Sequence, residues 1–266
     1  MLGAIVGDII GSRFERHPIK TKRFKLFTIE SHLTDDTVMT IATLDAIERK
    51  LLFDTSYQIW GNKYPNVGYG SAFKIWLSQQ VPVPYNSYGN GSAMRVSPIA
   101  WIFDNQEDIL KKAEQSAYVT HNHPEGIKGA QAIALCIYLA RMGWTKEEIK
   151  DKISKQFDYN LGRSIQSFKR SYKFDVSCQG SVPEAIIAFL ESTDYESAIR
   201  IAIALGGDSD TLAAMAGSIA EAYYEYIPRY MIRESFKRIP DEIWYRILNF
   251  GIKYKVPSIL KYRQGL

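Results

Sequence analysis

The chain has 266 residues, 46% of them hydrophobic, enough to bury a full core, and no Pro/Ser/Gly-rich linker or charge block divides it. One domain spanning 1–266 is expected. The formal charge of +4 is spread over scattered lysines and arginines, which permits an anionic ligand but indicates no nucleic-acid arm. Cys136 and Cys178 sit in no CxxC spacing, no apolar run reaches transmembrane length, and the first residues carry Asp8 instead of a basic leader, so a cytoplasmic protein without signal peptide or membrane span is expected.

Taken in order, residues 2–12 read as a short helix in which Gly3, Gly7 and Gly11 stand four apart. That spacing makes a stripe without side chains, against which another backbone can lie. It is no P-loop, because no Gly-Lys-Ser/Thr follows. Residues 16–33 are basic and irregular, with Phe24, Phe27 and Ile29 alternating as in a short strand. Thr34-Asp35-Asp36-Thr37 then opens a helix carrying Val38, Ile41, Leu44 and Ile47 at helical spacing, with Thr34 as its N-cap. Gly68-Tyr69-Gly70-Ser71 precedes a further helix. Such a turn can offer bare N–H groups to an anion, or serve as an ordinary turn.

Residues 82–95 are rich in Pro, Asn, Ser and Gly and form a loop. Its glycines and small polar side chains, next to Tyr85 and Tyr88, suit a diphosphate and a stacked base. Met94, Val96 and Ile99 begin a core helix. Thr120 or Asn122 caps a strong helix over 126–141, and His121 and His123 lack the further His or Cys that a transition metal needs. Amphipathic surface helices occupy 145–175, and Pro183 suits the first turn of the helix after Gly180. An apolar helix over 195–205 stops at Gly206-Gly207. Asp208-Ser209-Asp210-Thr211 then opens another, with Leu212, Met215, Ile219 and Tyr223 inward. Strands are scarce, so the fold class is all-α.

The two acidic clusters share one design. A cap needs a single oxygen acceptor, whereas each cluster offers two carboxylates and hydroxyls within four residues. Ligand sets made only of oxygen suit hard divalent cations better than zinc.

TDDT, GGDSDT, the opening GAIVGDIIGSRFE and the loop SYGNGSAMR together resemble the ADP-ribosylglycohydrolase family, over about residues 3–224. The resemblance implies an orthogonal multi-helix bundle with a binuclear metal site in a cleft at helix ends. It implies as metal residues Glu15, Thr34, Asp35, Asp36, Asp208, Asp210 and Thr211, holding two divalent cations, Mg²⁺ or Mn²⁺. Their positive charges would offset nearly all of five converging carboxylates. Ser87, Tyr88, Gly89 and Asn90, helped by Gly68, Ser71 and His121, are the implied substrate contacts, and Tyr85 a further stacking partner. Glu15 or Asp36 is the implied catalytic carboxylate, orienting or deprotonating water.

The expected activity is metal-dependent cleavage of the glycosidic bond between ADP-ribose and an acceptor side chain, arginine first by analogy, on an ADP-ribosylated protein or small molecule. The alternatives are a catalytically silent ADP-ribose-binding or structural member, and a binuclear-metal hydrolase of another phosphorylated metabolite. Ser209 stands where the family commonly has Thr. Nothing in the residues specifies an oligomeric state.

Overall fold

A computed structural model describes residues 1–264, and among them the chain is built from sixteen α-helices. The first half holds α1 (Leu2–Gly11), α2 (Asp35–Glu48), α3 (Phe53–Lys63), α4 (Ser71–Leu77), α5 (Gly91–Met94), α6 (Ser97–Ile102), α7 (Gln106–Tyr118) and α8 (Pro124–Arg141). The second half holds α9 (Lys146–Phe157), α10 (Ile165–Phe168), α11 (Cys178–Leu190), α12 (Tyr195–Ile203), α13 (Ser209–Tyr224), α14 (Arg229–Phe236), α15 (Asp241–Lys253) and α16 (Pro257–Arg263). The strand-like pairing among the described residues is one antiparallel bridge, Gly89 to Ser177. The all-α expectation holds.

The centre of the molecule is the pair α1 and α13. Every residue of α1 is buried, so it has no solvent face and must be covered on all sides. Its glycine stripe faces α13: a Cβ on Gly3, Gly7 or Gly11 would overlap the backbone of Gly217, Ala213 or Ser209–Asp210. Gly217 answers from the other side, against the Gly3 carbonyl. Two helices in such close contact hold their ends in fixed relation, and the second acidic cluster opens α13 where Gly11 ends α1.

The outer helices then close the core. α12 and α11 pack on α13, α8 packs on α7, α11 and α13, and α2 packs on α1 and α3. The tail is stitched onto this frame. Ser258 of α16 donates to Glu221 of α13 at 2.6 Å, and Glu221 also accepts the Gly3 N–H at 2.8 Å. Arg246 of α15 pairs with the buried Asp45 of α2 at 2.6 Å.

Three local expectations are corrected. Phe24 and Phe27 belong to no strand: Phe24 packs edge-on against Phe14, Arg238 covers Phe27, and Ile29 is 99% exposed. Among the described residues no strand lies beside this segment, so the alternation has nothing to pair with. Helix α8 is capped by His123, whose Nδ1 accepts the Glu125 N–H at 3.1 Å, in place of Thr120 or Asn122. Helix α11 begins at Cys178 under the Ser177 cap, which leaves Pro183 inside the helix and not in its first turn. Helix α9 carries a full capping box from Thr145 and Glu148.

Candidate active site

The N-terminus of α2 is satisfied from two directions. Thr34 Oγ1 accepts the Asp36 N–H at 3.2 Å, the cap its sequence predicts. Asp8, reaching across from α1, accepts the N–H groups of Thr34 and Thr37 at 3.1 and 3.2 Å, the Thr34 hydroxyl at 2.8 Å, and the Thr37 hydroxyl. In sequence Asp8 carries one signal, an acid in an otherwise apolar helix, which by itself does not mark a site residue.

The second cluster meets the first. Gly206, with φ of +67°, turns the chain after α12, and α13 starts beside α2. Asp208 Oδ2 accepts from the Asn90 side chain at 2.8 Å, and the Thr211 hydroxyl donates to Asp36 at 3.3 Å. Asp8, Asp36 and Asp210 each present a carboxylate oxygen within 4.8 Å of the others, and all three are buried.

No Lys, Arg or His forms an ion pair with Asp8, Asp36, Asp208 or Asp210 among the described residues. Burial therefore raises their pKa values, and neighbouring carboxylates raise those of Asp36 and Asp210 further. Burial and the nearby Asp8 lift Asp35 to about 8, and burial followed by Asp208 raises Glu15. Asp36 Oδ1 and Asp210 Oδ1 are buried and accept no hydrogen bond among the described residues. Native interiors rarely leave such oxygens unmet. A set of convergent carboxylates, two with unused oxygens, fits a hard cation.

These acids floor a cleft of about 310 Å³, within the size range of small-ligand sites. Glu15, Asp35, Asp36, Asp208, Asp210 and Thr211 line it, as do Gly68 and Ser71. Ser87, Gly89, Asn90, His121 and Tyr85 line it too, and Asn90 meets Asp208 directly. The loop carrying them is held firmly: the Asn86 N–H donates to Asn122 Oδ1 at 2.7 Å, and the Asn90 N–H to the Val176 carbonyl at 2.7 Å.

Two predicted residues lie off the cleft wall. The Thr34 side chain is committed to Asp8 and to the cap. Tyr88 is 52% exposed with its ring edge-on to His123, so Tyr85 and not Tyr88 offers an aromatic surface to the interior. Asn86, in the left-handed region at φ 54°, turns the chain between the two tyrosines, so they meet different surroundings. Phe174, Val176, Met94 and Arg95 also line the cleft and carried no functional signal in sequence.

A helical bundle with an acid-floored cleft at helix ends is a recurrent architecture. A solved structure described as an "ADP-ribosylglycohydrolase-related protein complex" superimposes with a TM-score of 0.70 at 21% identity, over 100% of this chain and 97% of that one, and shows the same fold. The family model for ADP-ribosylglycohydrolases matches residues 1–247. The chain belongs to the ADP-ribosylglycohydrolase family and is a glycohydrolase of that class. Its relatives include ADP-ribosylhydrolase ARH3 of Mus musculus, 27% identical over 86% of this chain and 84% of the mouse protein. The ARH3 of Xenopus tropicalis is 29% identical over 86% and 87%. ADP-ribosylarginine hydrolase Tri1 of Pseudomonas putida is 25% identical over 92% of this chain and 77% of its own length.

Proposed function

We propose that this single-domain protein removes ADP-ribose from an acceptor side chain, arginine before serine, by hydrolysing the glycosidic bond. One observation carries the reading: buried, unpaired carboxylates with unused oxygens share a cleft with a small-residue loop of the kind that holds a diphosphate. The arginine acceptor has the support of the Tri1 relative's name.

In this reading Ser87, Gly89 and Asn90, with Gly68, Ser71 and His121, hold the ADP-ribose, and Tyr85 presents a ring for stacking. Asp35, Asp36, Asp208, Asp210, Glu15 and Thr211 hold two divalent cations, Mg²⁺ or Mn²⁺, and Asp8 with Thr34 positions the start of α2. When bound, the cations offset the carboxylate charge and supply Lewis acidity toward ligand oxygens. Glu15 is half-buried with a raised pKa, which suits a carboxylate that takes a proton from water as the acceptor leaves. Asp36, the other candidate base, is more deeply buried and crowded by acids, and is better suited to holding a cation. The Asp208 and Asp210 carboxylates stabilise positive charge developing on the ribose. The two buried thiols, neither in a disulfide, fit a reducing cytoplasmic setting.

The test is release of ADP-ribose from arginine-linked and serine-linked peptides with Mg²⁺ or Mn²⁺, then with chelator. Metal-dependent release from the arginine peptide, lost in Asp208→Ala, is expected. Tight ADP-ribose binding without release from either peptide would replace hydrolysis with recognition.

A further inference from the structure

Arg95 is 1% exposed, lies over the Tyr57 ring at 4.2 Å, and has no carboxylate partner among the described residues. One guanidinium nitrogen donates to the Ser116 carbonyl at 3.1 Å and to Thr120 Oγ1 at 2.9 Å. Arginine has donors only, so the Thr120 oxygen accepts here. Thr120 is fully buried, and its own hydroxyl proton needs an acceptor. His121 Nδ1 stands 2.7 Å away and is the acceptor that this hydroxyl meets among the described residues. Nδ1 must then be unprotonated, which places the ring proton on Nε2.

Nε2 points at the glycines of the cleft loop. A Cβ on Gly91 would lie 3.1 Å from it, and one on Gly89 would lie 3.5 Å from it. No protein atom among the described residues bonds Nε2, although His121 is only 6% exposed and lines the cleft. Nε2 keeps a small opening to the cleft, and the missing side chains at 89 and 91 leave room there for an acceptor.

We propose that Arg95 and Thr120 are positioning residues that lock His121 as an Nε2–H donor to an oxygen of an anionic ligand in the cleft, in chemistry a phosphate oxygen of a nucleoside diphosphate. The inference deepens the reading above and rests on it only for the ligand. Burial and the Arg95 charge together keep the imidazole from taking a second proton, so Nε2–H stays a neutral donor while Nδ1 stays occupied. The Arg95 charge, which lies at the cleft wall with His121, also favours an anion in the cleft.

The test uses the full chain labelled with ¹⁵N-histidine, the His121 signals being assigned by comparison with His121→Gln. Long-range proton–nitrogen spectra should show Nδ1 unprotonated and Nε2 protonated, with a coupling from the Thr120 hydroxyl proton to Nδ1. Thr120→Val, which keeps the shape but not the hydroxyl, should redistribute the tautomers and weaken ADP-ribose binding about tenfold. Thr120→Ser should restore both. A proton on Nδ1 in the wild-type protein would overturn the proposal, and so would a folded Thr120→Val with unchanged tautomer and affinity. Where the valine variant does not fold, the wild-type coupling decides by its presence or absence. If the wild-type protein binds no ADP-ribose, the functional reading fails, and the tautomer spectra of the two proteins still decide for or against the relay.

Discussion

The carboxylates of the cleft look alike in sequence and are asked to do opposite things. Asp8 has four donors around it, two of them the backbone N–H groups that open α2, so its oxygens are met within the protein. Asp210 has an unused buried oxygen and acids for neighbours. Replacing Asp8 with Asn would turn an NH₂ toward groups that already donate, and leave buried N–H groups unmet. We expect a loss of about 2–3 kcal/mol in urea unfolding and a fall in hydrolysis of roughly 10–100-fold. Asp210→Asn should behave in the reverse sense. It removes one of several crowded negative charges, so the cation-free protein should gain about 2–4 °C in Tm for each kcal/mol relieved, while ADP-ribose release is abolished. A stability gain coupled to lost activity marks a residue kept for a ligand. Equal destabilisation by both substitutions would contradict this division of roles.

At the scale of elements, the site depends on how closely α1 lies against α13. Gly7→Ala would push a methyl into the Ala213 carbonyl, where neither backbone can yield without moving α1, which carries Asp8, against α13, which opens with the second acidic cluster. A cost of about 1–3 kcal/mol is expected from such overpacking, read as a lower urea midpoint. Gly70→Ala is the control. It has no heavy atom within 4 Å of the added methyl and a φ of −61°, so its unfolding should stay within about 0.5 kcal/mol of wild type. This frame was visible in the sequence because its determinants are local: the glycine spacing in 3–11, the Thr34 cap, and an acidic pair at the start of each of two apolar helices. What escaped depends on contacts between distant segments. Asp8 reads as one polar residue in an apolar helix until α2 is placed against it. Arg95 reads as an ordinary residue after a loop until Thr120 and His121 stand beside it. Tyr85 and Tyr88 are equivalent on paper, and only the folded chain, turned at Asn86 between them, sets one at the cleft and the other in solvent. The alternation at 24–29 suggested a strand because pattern alone does not show that a partner strand is missing.

For the molecule as a whole, the cleft ties folding stability to both protons and cations. Asp35, raised to about 8 by burial and nearby acids, binds a proton in the folded chain across a pH range where the unfolded chain, near 3.8, has released it. A raised carboxyl contributes stability that is fully present below the unfolded value and is lost as pH rises through the folded one. Asp8, Asp36, Asp208 and Asp210 shift in the same direction. In chelator, Tm should therefore fall between about pH 5 and pH 8, beyond any change in a variant with the cluster neutralised. Divalent cations compete with those protons for the same oxygens, so binding strengthens as pH rises. Addition of Mg²⁺ or Mn²⁺ should then raise Tm more at pH 8 than at pH 5.5, and the gain should vanish in Asp210→Asn. Thermal unfolding at the two pH values, with cation and with chelator, measures both effects. A cation gain that is the same at both pH values would mean that protons and metal do not share these carboxylates.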